Sequence, residues 1–476
     1  MIKEFFINGE LKHYTKSRYD IIAPHDGSVI ASIPDATIED VNAAVAAAKH
    51  AYDHGWKTME AGKRTRLLLR WADLVEAMGS EIAALDGLET GRATKGGSME
   101  FFADYIRYFA GWVNNLYGDV IVHNPTHLNY VVQEPLGVVA SMPAWNTVAS
   151  GAIQKMAPAL AAGNTIVLRA PDEAPLSCMY LAKTIIEAGF PDGVVNIIAG
   201  NGPAISKALV NHRDVALISF TGSVEVGKAI QSSASKTLKR TVMELGGKSP
   251  YLIFEDADID RAVSTLVDSA FSFQGQSCSA PSRVLVQRSI LNRVLSLMKE
   301  LTERYQPAFP DDPSDAPRIG PLFSKKQYER IVTYVERGKE EGTLIIGGNR
   351  VENPKYQGGY YFNPSIFIFD GMGSRVTDEE IFGPIVAVIP FDTIEDAISI
   401  ANDVPYGLAA GVWSRSVETL LRCSKEIVAG TIWENCYYQY TILSPWGGFK
   451  ESGMGREFGM YALVPYLDYK SIWMFR

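Results

Sequence analysis

The sequence predicts an α/β protein built from two α/β domains and a small additional β element. Three observations support this prediction: the length of 476 residues, two regions in which strand and helix patterns alternate, and two strand-like segments outside both regions. A chain of this length exceeds what one simple hydrophobic core accommodates, so two or three domains are expected.

The first alternating region begins near residue 137. Its continuous apolar segments GVVASM, NTIVLRA, GVVNIIAG and VALISFTGS are predicted strands, and GAIQKMAPALAAG, PLSCMYLAKTIIEAG and VEVGKAIQSSAS are predicted helices. Repeated βα units with strands that are apolar throughout are typical of a parallel sheet covered on both faces. Such sheets bind ligands at the carboxyl ends of their strands.

The second alternating region runs from SPYLIFEDADIDRAVSTLVDSAF through SRVLVQRSILNRVLSLMKELTERY to FGPIVAVIPFDTIEDAISIAND. It predicts another α/β domain, joined to the first near residues 246–249. PAFPDDPSDAPRIGP is a predicted surface loop. VIVHNPTHLNYVVQEP and the C-terminal PYLDYKSIWMF are predicted strands outside both domains. Because exposed aromatic strand edges favour pairing, we expect these strands to form an oligomer interface.

Composition narrows the classes of partner. The 54 acidic and 45 basic residues leave a net charge of -9, which argues against nucleic acid as the main partner. The start MIKEFFINGE has no apolar signal region, and no run of 18 apolar residues occurs, so a cytoplasmic protein without membrane attachment is expected. Four cysteines without CxxC spacing and seven scattered histidines predict reduced thiols and no metal.

Cys278 is the candidate nucleophile. It lies in FQGQSCSAPS, between two serines of a polar loop, whereas Cys178 and Cys423 lie in helix patterns typical of packing residues. A structural cysteine usually has apolar neighbours, and a reactive thiol favours a polar, partly open site. The local string alone is compatible with both roles.

Two loops at predicted strand ends could bind a dinucleotide. ISFTGSVEVGKAI places Gly222 and Gly227 where a helix N-terminus meets a strand, a suitable site for pyrophosphate, although the GxGxxG fingerprint is missing and glycine turns are common. IVLRAPDEAP offers Arg169 and Asp172. The acid could accept hydrogen bonds from a ribose or only complement a helix dipole.

Two further polar residues could take part in chemistry. Glu244 directly precedes two glycines in VMELGGKSP and could be a general base, although most such glutamates are solvated. Asn146 in PAWNTV could stabilise an oxyanion through its amide, or it could be a turn residue that satisfies its own backbone.

With these residues taken together, the chain resembles the NAD(P)-dependent aldehyde dehydrogenase superfamily, and within it the hydrolytic, non-acylating type. The matching motifs are PAWN, FTGSVEVG, MELGGKSP, FQGQSCSAPSR, EEIFGP, NDVPYGLAAGVW and SPWGGFKESGMGRE, in the family's order and with 34 positions from Glu244 to Cys278. The resemblance implies a Rossmann-type NAD-binding domain at 1–116 and 136–246 and an α/β catalytic domain at 247–448. It also implies a small β oligomerisation element at 117–135 and 449–476.

The resemblance also implies roles for single residues. Cys278 would attack an aldehyde to give a thiohemiacetal and then a thioester, with the oxyanion held by Asn146 and the Cys278 backbone N–H. Glu244 would activate the water that hydrolyses the thioester. Relatives that transfer the acyl group to coenzyme A lack this glutamate. Lys155 and Glu457 match polar positions of the active-site region, and Glu457 is a candidate for moving protons.

Ten residues match positions around the dinucleotide in the family. They are Trp145, Arg169, Asp172, Phe220, Gly222, Ser223, Gly227, Leu245, Glu380 and Phe382. The chain has RAPD where the family usually has lysine, proline, a small residue and glutamate. The carboxylate of Asp172 favours NAD over NADP, whereas Arg169, a strong phosphate ligand, leaves NADP open.

The substrate pocket departs from many relatives. Thr147 and Val148 replace an aromatic residue and a proline, which predicts a wider tunnel beside the nucleophile. The predicted pocket residues are Thr147, Ser277, Ser279, Tyr438, Tyr440 and Trp446. They favour a bulky neutral aldehyde, aromatic or medium-chain aliphatic. The alternatives are a quaternary ammonium or amino aldehyde bound by cation–π attraction, a semialdehyde, or aromatic rings that only pack.

Other activities and a non-enzymatic role stay open at this point. A coenzyme A-acylating enzyme or a reductase of activated acids would have no use for Glu244. A silent scaffold would not need the thiol, the base and the amide together. A homodimer or homotetramer is expected from the family.

Overall fold

The computed structural model describes residues 4–13, 17–92, 98–123, 125–310, 312 and 317–475. Positions 311 and 313–316 of the predicted loop PAFPDDPSDAPRIGP lie outside the described residues. The α-helices of the described ranges are α1 Ile38–Ala51, α2 Ala61–Ala77, α3 Gly79–Thr90, α4 Glu100–Trp112, α5 Val148–Ala162, α6 Leu176–Ala188, α7 Pro203–Asn211, α8 Val224–Ser235, α9 Ile259–Phe271, α10 Leu291–Thr302, α11 Lys325–Glu341, α12 Arg375–Asp378, α13 Ile394–Asn402 and α14 Val417–Glu426.

The strands follow the same chain order. They are β1 Phe5–Ile7, β2 Glu10–Lys12, β3 Arg18–Ile22, β4 Val29–Pro34, β5 Asp119–Ile121, β6 His127–Pro135, β7 Val138–Met142, β8 Thr165–Arg169, β9 Val195–Ile198, β10 Val215–Thr221, β11 Arg240–Glu244, β12 Pro250–Ile253, β13 Arg283–Gln287, β14 Gln306–Pro307, β15 Arg318–Ile319, β16 Thr343–Ile346, β17 Ser365–Ile368, β18 Ile385–Phe391, β19 Tyr406–Gly407, β20 Ala409–Trp413, β21 Thr431–Glu434, β22 Phe449–Lys450, β23 Gly453–Met454 and β24 Leu467–Phe475.

The first sheet has eight strands in the order β2-β1-β9-β8-β7-β10-β11-β23. Its inner strands β9, β8, β7, β10 and β11 are parallel, and β1 and β23 add antiparallel at the two sides. Parallel strands require crossover helices, which explains why the apolar strands alternate with helices in the sequence. The predicted parallel α/β unit is confirmed.

Helix α5 connects the first two strands of this unit and is almost wholly buried. It packs against α4 and α6, so all of its side chains except Ser150 and Gln154 are buried. The helix ends at Gly163, whose φ of 96° is left-handed and closes the last turn. Burial of α5 brings its single charged side chain, Lys155, into the interior.

The second sheet has seven strands in the order β16-β17-β18-β13-β12-β20-β21, parallel except for β16. Residues 245–249 connect β11 of the first sheet to β12 of the second, at the predicted junction. The sites at the carboxyl ends of β7, β10 and β11 therefore lie next to the start of the second sheet.

The two predicted outlying strand segments pair with each other. β24 runs antiparallel to β6 from Leu467 opposite Pro135 to Phe475 opposite His127, and β5 extends the sheet on the other side of β6. Within 449–476, only β24 belongs to this sheet, because β22 pairs with β19 and β23 pairs with β11. The role of this sheet in oligomerisation stays a prediction.

Two kinds of feature, a membrane-spanning helix and a metal-binding cluster of side chains, are absent from the described ranges. No helix there has the length and apolar character needed to cross a membrane. The same residues contain no group of three or more His, Cys, Asp and Glu side chains that could hold a metal ion.

Candidate active site

Cys278 follows a turn with unusual backbone geometry. Phe273, Gln274 and Gly275 have φ values of 53°, 58° and 67°, so two bulky residues adopt the left-handed region. Such residues cost on the order of 1–3 kcal/mol each and persist only where neighbours hold them. The Arg92 guanidinium lies 3.2 Å from the centroid of the Phe273 ring, and Gln274 Nε2 donates to Gly91 O at 3.3 Å. These contacts hold the turn before the cysteine.

The Cys278 thiol is partly buried beside several carboxylates. Desolvation, followed by the charges of Glu380 and Glu244, raises the pKa of the thiol to about 12. The thiol is therefore protonated at neutral pH in this arrangement. The backbone at Gly247 closes the other side, since a β-carbon there would lie 2.4 Å from Cys278 O.

Asn146 lies against the cysteine loop. Its Nδ2 donates to the carbonyl of Gln276 at 3.0 Å, which connects the end of β7 to the loop 130 residues later. Thr147 precedes α5 without forming a side-chain cap. The amide of Asn146 therefore contacts the cysteine loop two positions before Cys278.

Glu244 ends β11 and is buried, with 4% of its surface exposed. Neither carboxylate oxygen has a hydrogen-bond partner. Desolvation and the nearby charge of Glu457 raise the pKa of Glu244 well above its usual range, and Lys155 and Arg456 oppose this rise. A buried carboxylate left without partners is costly, so this site is built for a transient partner rather than for stability.

Lys155 and Glu457 form a buried ion pair next to Glu244. Lys155 Nζ lies 2.7 Å from Glu457 Oε1, with 0% and 7% of the two side chains exposed. Glu457 is positioned by a backbone pair with Trp446, whose two N–H to O distances are 2.6 and 2.7 Å. The site therefore contains two carboxylates and one ammonium, a group suited to transferring protons.

The predicted phosphate turn is assembled from β10, α8 and β11. Gly222 N donates to Glu244 O at 3.1 Å, and Ser223 caps α8 by accepting from Val226 N at 3.3 Å. A β-carbon at Gly222 would lie 2.3 Å from the Phe220 ring. At Gly227 it would lie 2.6 Å from Leu245. The structure thus brings together Phe220, Gly222, Ser223, Gly227 and Leu245.

Arg169 and Asp172 form an ion pair with each other. Asp172 Oδ2 accepts from Gly202 N at 2.8 Å, and Arg169 donates to Gly200 O at 3.2 Å, so both side chains also brace the loop after β9. Arg169 Nε is buried without a partner. The unusual RAPD string therefore forms an internal pair that still has one donor free for a ligand.

Glu380 lies against the two glycines that follow Glu244. Its Oε1 accepts from Gly247 N at 3.1 Å, and a β-carbon at Gly246 would lie 2.2 Å from Oε2. Desolvation raises the pKa of Glu380 to about 7. Phe382, with a left-handed φ of 62°, follows in the same loop and meets the Trp145 ring edge to face at 5.3 Å.

Several neighbours of these residues carry no sequence signal of their own. Phe323 stacks on Trp145 at 4.0 Å with an interplanar angle of 8°. From α11, Gln327 Nε2 donates to Phe382 O at 2.6 Å and Arg330 donates to Glu380 O at 2.6 Å. Their strings are ordinary loop and helix sequence, so only proximity in the fold identifies them.

Three of the predicted pocket residues, Tyr438, Tyr440 and Trp446, lie on one aromatic surface. Trp433 and Tyr437, absent from the prediction, complete it: the Trp433 ring lies 4.5 to 6.2 Å from the rings of Tyr437, Tyr438, Tyr440 and Trp446. Ser279 Oγ lies 3.2 Å from Tyr440 OH and 3.4 Å from Ser277 Oγ. The hydroxyls that flank the cysteine thus meet the aromatic surface.

A dinucleotide fits the groups at the carboxyl ends of the first sheet together with Glu380, which precedes β18 of the second sheet. The N-terminus of α8 offers backbone N–H groups to phosphate, Arg169 Nε is an orphaned buried donor, and Glu380 offers a carboxylate to ribose hydroxyls. These groups would hold a hydride acceptor close to a thiol, a buried base and an amide donor. Such a set can support hydride transfer from an intermediate bound to the thiol.

Comparison with known proteins agrees with this geometry. The sequence profile of the aldehyde dehydrogenase family matches residues 12–472. The chain belongs to the aldehyde dehydrogenase family. The predictions of the superfamily, of its fold and of an enzyme of this type are confirmed.

Individual relatives cover nearly the whole chain. An aldehyde dehydrogenase of Emericella nidulans is 39% identical over 98% of this chain and 94% of its own. The NAD+ complex of an aldehyde dehydrogenase from Bacillus cereus has a TM-score of 0.95 at 38% identity, over 100% of this chain and 97% of that chain. Betaine aldehyde dehydrogenase from Staphylococcus aureus in complex with NAD+ has a TM-score of 0.96 at 33% identity, over 99% of this chain and 94% of that chain.

Proposed function

We propose that this chain is an NAD-dependent aldehyde dehydrogenase that oxidises a bulky neutral aldehyde, aromatic or medium-chain aliphatic, to the carboxylic acid. One observation carries the mechanism. The unpartnered, buried carboxylate of Glu244 lies at the end of a strand beside the cysteine loop against which the Asn146 amide packs. Thiol, amide donor and base are the three groups that oxidation through a thioester requires.

In the first step, the Cys278 sulfur forms a bond to the carbonyl carbon and the carbonyl oxygen becomes an oxyanion. The Asn146 amide and the Cys278 backbone N–H donate to this oxygen, each contributing about 3–4 kcal/mol to transition-state stabilisation. The high pKa of the thiol requires that its proton leave as the substrate binds. The carboxylates of Glu380, Glu244 and Glu457, whose charges act on the thiol, provide the acceptors.

Glu380, Trp145 and the turn at Gly222 and Ser223 would hold NAD, with Arg169 and Asp172 toward its adenosine end. When bound there, NAD supplies the hydride acceptor that converts the thiohemiacetal to the thioester. The carboxylate of Asp172 disfavours the additional phosphate of NADP. The NAD+ complexes of the Bacillus and Staphylococcus enzymes support the choice of NAD.

Glu244 would then take a proton from the water that attacks the thioester, which releases the acid and regenerates the thiol. Glu244 must be ionised to act as this base. Desolvation and the charge of Glu457 raise its pKa, and the charge of Lys155 opposes this rise. Glu457, paired with Lys155, would pass the proton onward.

The small Thr147 and the aromatic surface of Tyr438, Tyr440 and Trp446 support the choice of a bulky neutral aldehyde. The β24-β6-β5 sheet supports a homodimer or homotetramer.

NADH production with NAD and a panel of aldehydes tests this function, with Cys278→Ala and Glu244→Gln beside the wild type. Turnover should be absent in the cysteine variant. A single stoichiometric burst of NADH is expected in the glutamate variant, because the acyl-enzyme forms and is not hydrolysed. Absence of NADH from the wild type with every aldehyde would refute the function. Turnover only with added coenzyme A would replace hydrolysis by acyl transfer.

A further inference from the structure

Tyr438 has a hydroxyl that the protein leaves without a partner. The side chain is partly exposed, but its oxygen is shielded from solvent and makes no hydrogen bond. A buried phenolic oxygen without a partner is destabilising, because it has lost its hydrogen bonds to water and gained none in return. Native proteins keep such groups where a ligand or water satisfies them.

The backbone at Tyr438 is also strained. Its φ of 53° is left-handed, which is rare for a bulky aromatic residue. The neighbouring rings hold this geometry, since Tyr437 lies at 5.1 Å and Trp433 at 6.0 Å. Tyr437 is itself anchored through its hydroxyl, which donates to Ser279 O at 2.9 Å. Strain of this kind concentrates at ligand-binding positions.

The Tyr438 hydroxyl faces the nucleophile loop. Desolvation raises its pKa to about 12, and the hydroxyls of Ser277, Ser279 and Ser272 oppose this rise. These three hydroxyls are therefore close to Tyr438 OH, although none of them is in hydrogen-bond geometry with it. Ser277 and Ser279 flank the cysteine; their hydroxyls lie 3.4 Å from each other, and Ser279 Oγ lies 3.2 Å from Tyr440 OH.

We infer that Tyr438 OH, with Ser277 and Ser279, forms a polar subsite for a hydroxyl group of the substrate, so that the enzyme prefers hydroxylated aldehydes over apolar ones of equal size. The inference rests on the proposed function and deepens it. A phenol and two aliphatic hydroxyls can each donate and accept, which matches a substrate hydroxyl and gives no preference for a charge. The surrounding rings bind the apolar body of the molecule.

Three pairs of neutral, size-matched substrates test the subsite. Each pair consists of a hydroxymethyl- and an ethyl-substituted benzaldehyde, with the substituent in the 2-, 3- or 4-position. The measured quantity is the ratio of kcat/KM for the hydroxymethyl compound to that for the ethyl compound. In the wild type, we expect the best-placed isomer to be preferred about tenfold, which corresponds to one hydrogen bond. Tyr438→Phe should abolish most of this preference, and comparison between variants cancels the intrinsic reactivity of each aldehyde.

The control is Tyr108→Phe, which removes a phenolic hydroxyl from a partly exposed residue of α4, outside the site and the predicted oligomerisation element. It should leave the ratio unchanged. Thermal unfolding of the free enzyme adds an independent readout. Because Tyr438 OH has no partner, Tyr438→Phe should not lower the Tm, whereas loss of a structural hydrogen bond would lower it.

Two results would overturn the inference. One is a wild type that turns over all six aldehydes without preference for the hydroxylated ones; the other is an equal preference in Tyr438→Phe, which would mean that water satisfies the hydroxyl. Either result leaves the proposed function intact, because NADH is still produced. Failure of the proposed function is distinct: no aldehyde yields NADH in any form of the enzyme.

Discussion

Opposite substitutions in the buried pair Lys155–Glu457 should move the pH dependence of hydrolysis in opposite directions. Glu457→Gln removes the charge that raises the pKa of Glu244 and leaves Lys155, which lowers it. Both effects have the same sign, so the pKa of Glu244 should fall toward its usual range. Because Glu244 acts as a base, the acidic limb of kcat should shift to lower pH.

Lys155→Met does the reverse. It removes the cation that opposes the rise and leaves the Glu457 charge, so the acidic limb should move to higher pH. Both variants break the same 2.7 Å pair and leave one charge buried. Each should therefore lose about 3 kcal/mol of stability, which corresponds to a Tm lower by roughly 6–12 °C for a unit of 150–250 residues.

The assay is the pH profile of kcat with one aldehyde, under conditions where a burst of NADH identifies hydrolysis as the slow step. Thermal unfolding of the same preparations provides the stability comparison. Similar losses of Tm with opposite shifts of the limb would separate electrostatics from general damage. Limbs that stay in place, or that move in the same direction, would refute the assignment of the limb to Glu244.

Three further predictions concern the thiol, the glycine beside it and the cofactor. The pKa of about 12 means that labelling of Cys278 by iodoacetamide in the free enzyme should rise about tenfold per pH unit between pH 7 and 10, with Cys278→Ala as the blank; a rate independent of pH would contradict it. Gly247→Ala should abolish turnover, because its β-carbon would lie 2.4 Å from Cys278 O. The matched control is Gly111→Ala in α4, where the added methyl meets nothing within 4 Å. This control should retain full activity and gain about 0.5–1 kcal/mol of stability. Asp172→Asn should raise kcat/KM with NADP relative to NAD, and an unchanged ratio would remove Asp172 from cofactor selection.

Local patterns in the chain were sufficient for the parallel α/β units. The strands that end at Met142, Arg169 and Thr221 were recognisable because a strand buried on both faces is apolar throughout. The motif order identified the family and the candidate thiol, amide and carboxylate.

The residues around these groups depended on the tertiary structure. Phe323 on Trp145 and Arg330 on the loop of Glu380 come from segments without a distinctive composition. The sequence also could not distinguish Arg169 and Asp172 as separate ligand groups from the ion pair that they form. In each case the partner is set by which elements the sheets bring together, and not by spacing along the chain.

The sequence alone therefore determined the alternating strands and helices of the two α/β regions and which residue types reach their strand ends, because hydrophobic periodicity and backbone sterics are local properties. Only the tertiary structure decided the state of the site. Lys155 meets Glu457 across 302 positions, Glu244 is left without a partner, and Tyr438 directs an unpaired hydroxyl toward the serines beside Cys278. Protonation and polarity depend on burial and on charges brought together in space, and these exist only once the chain has folded.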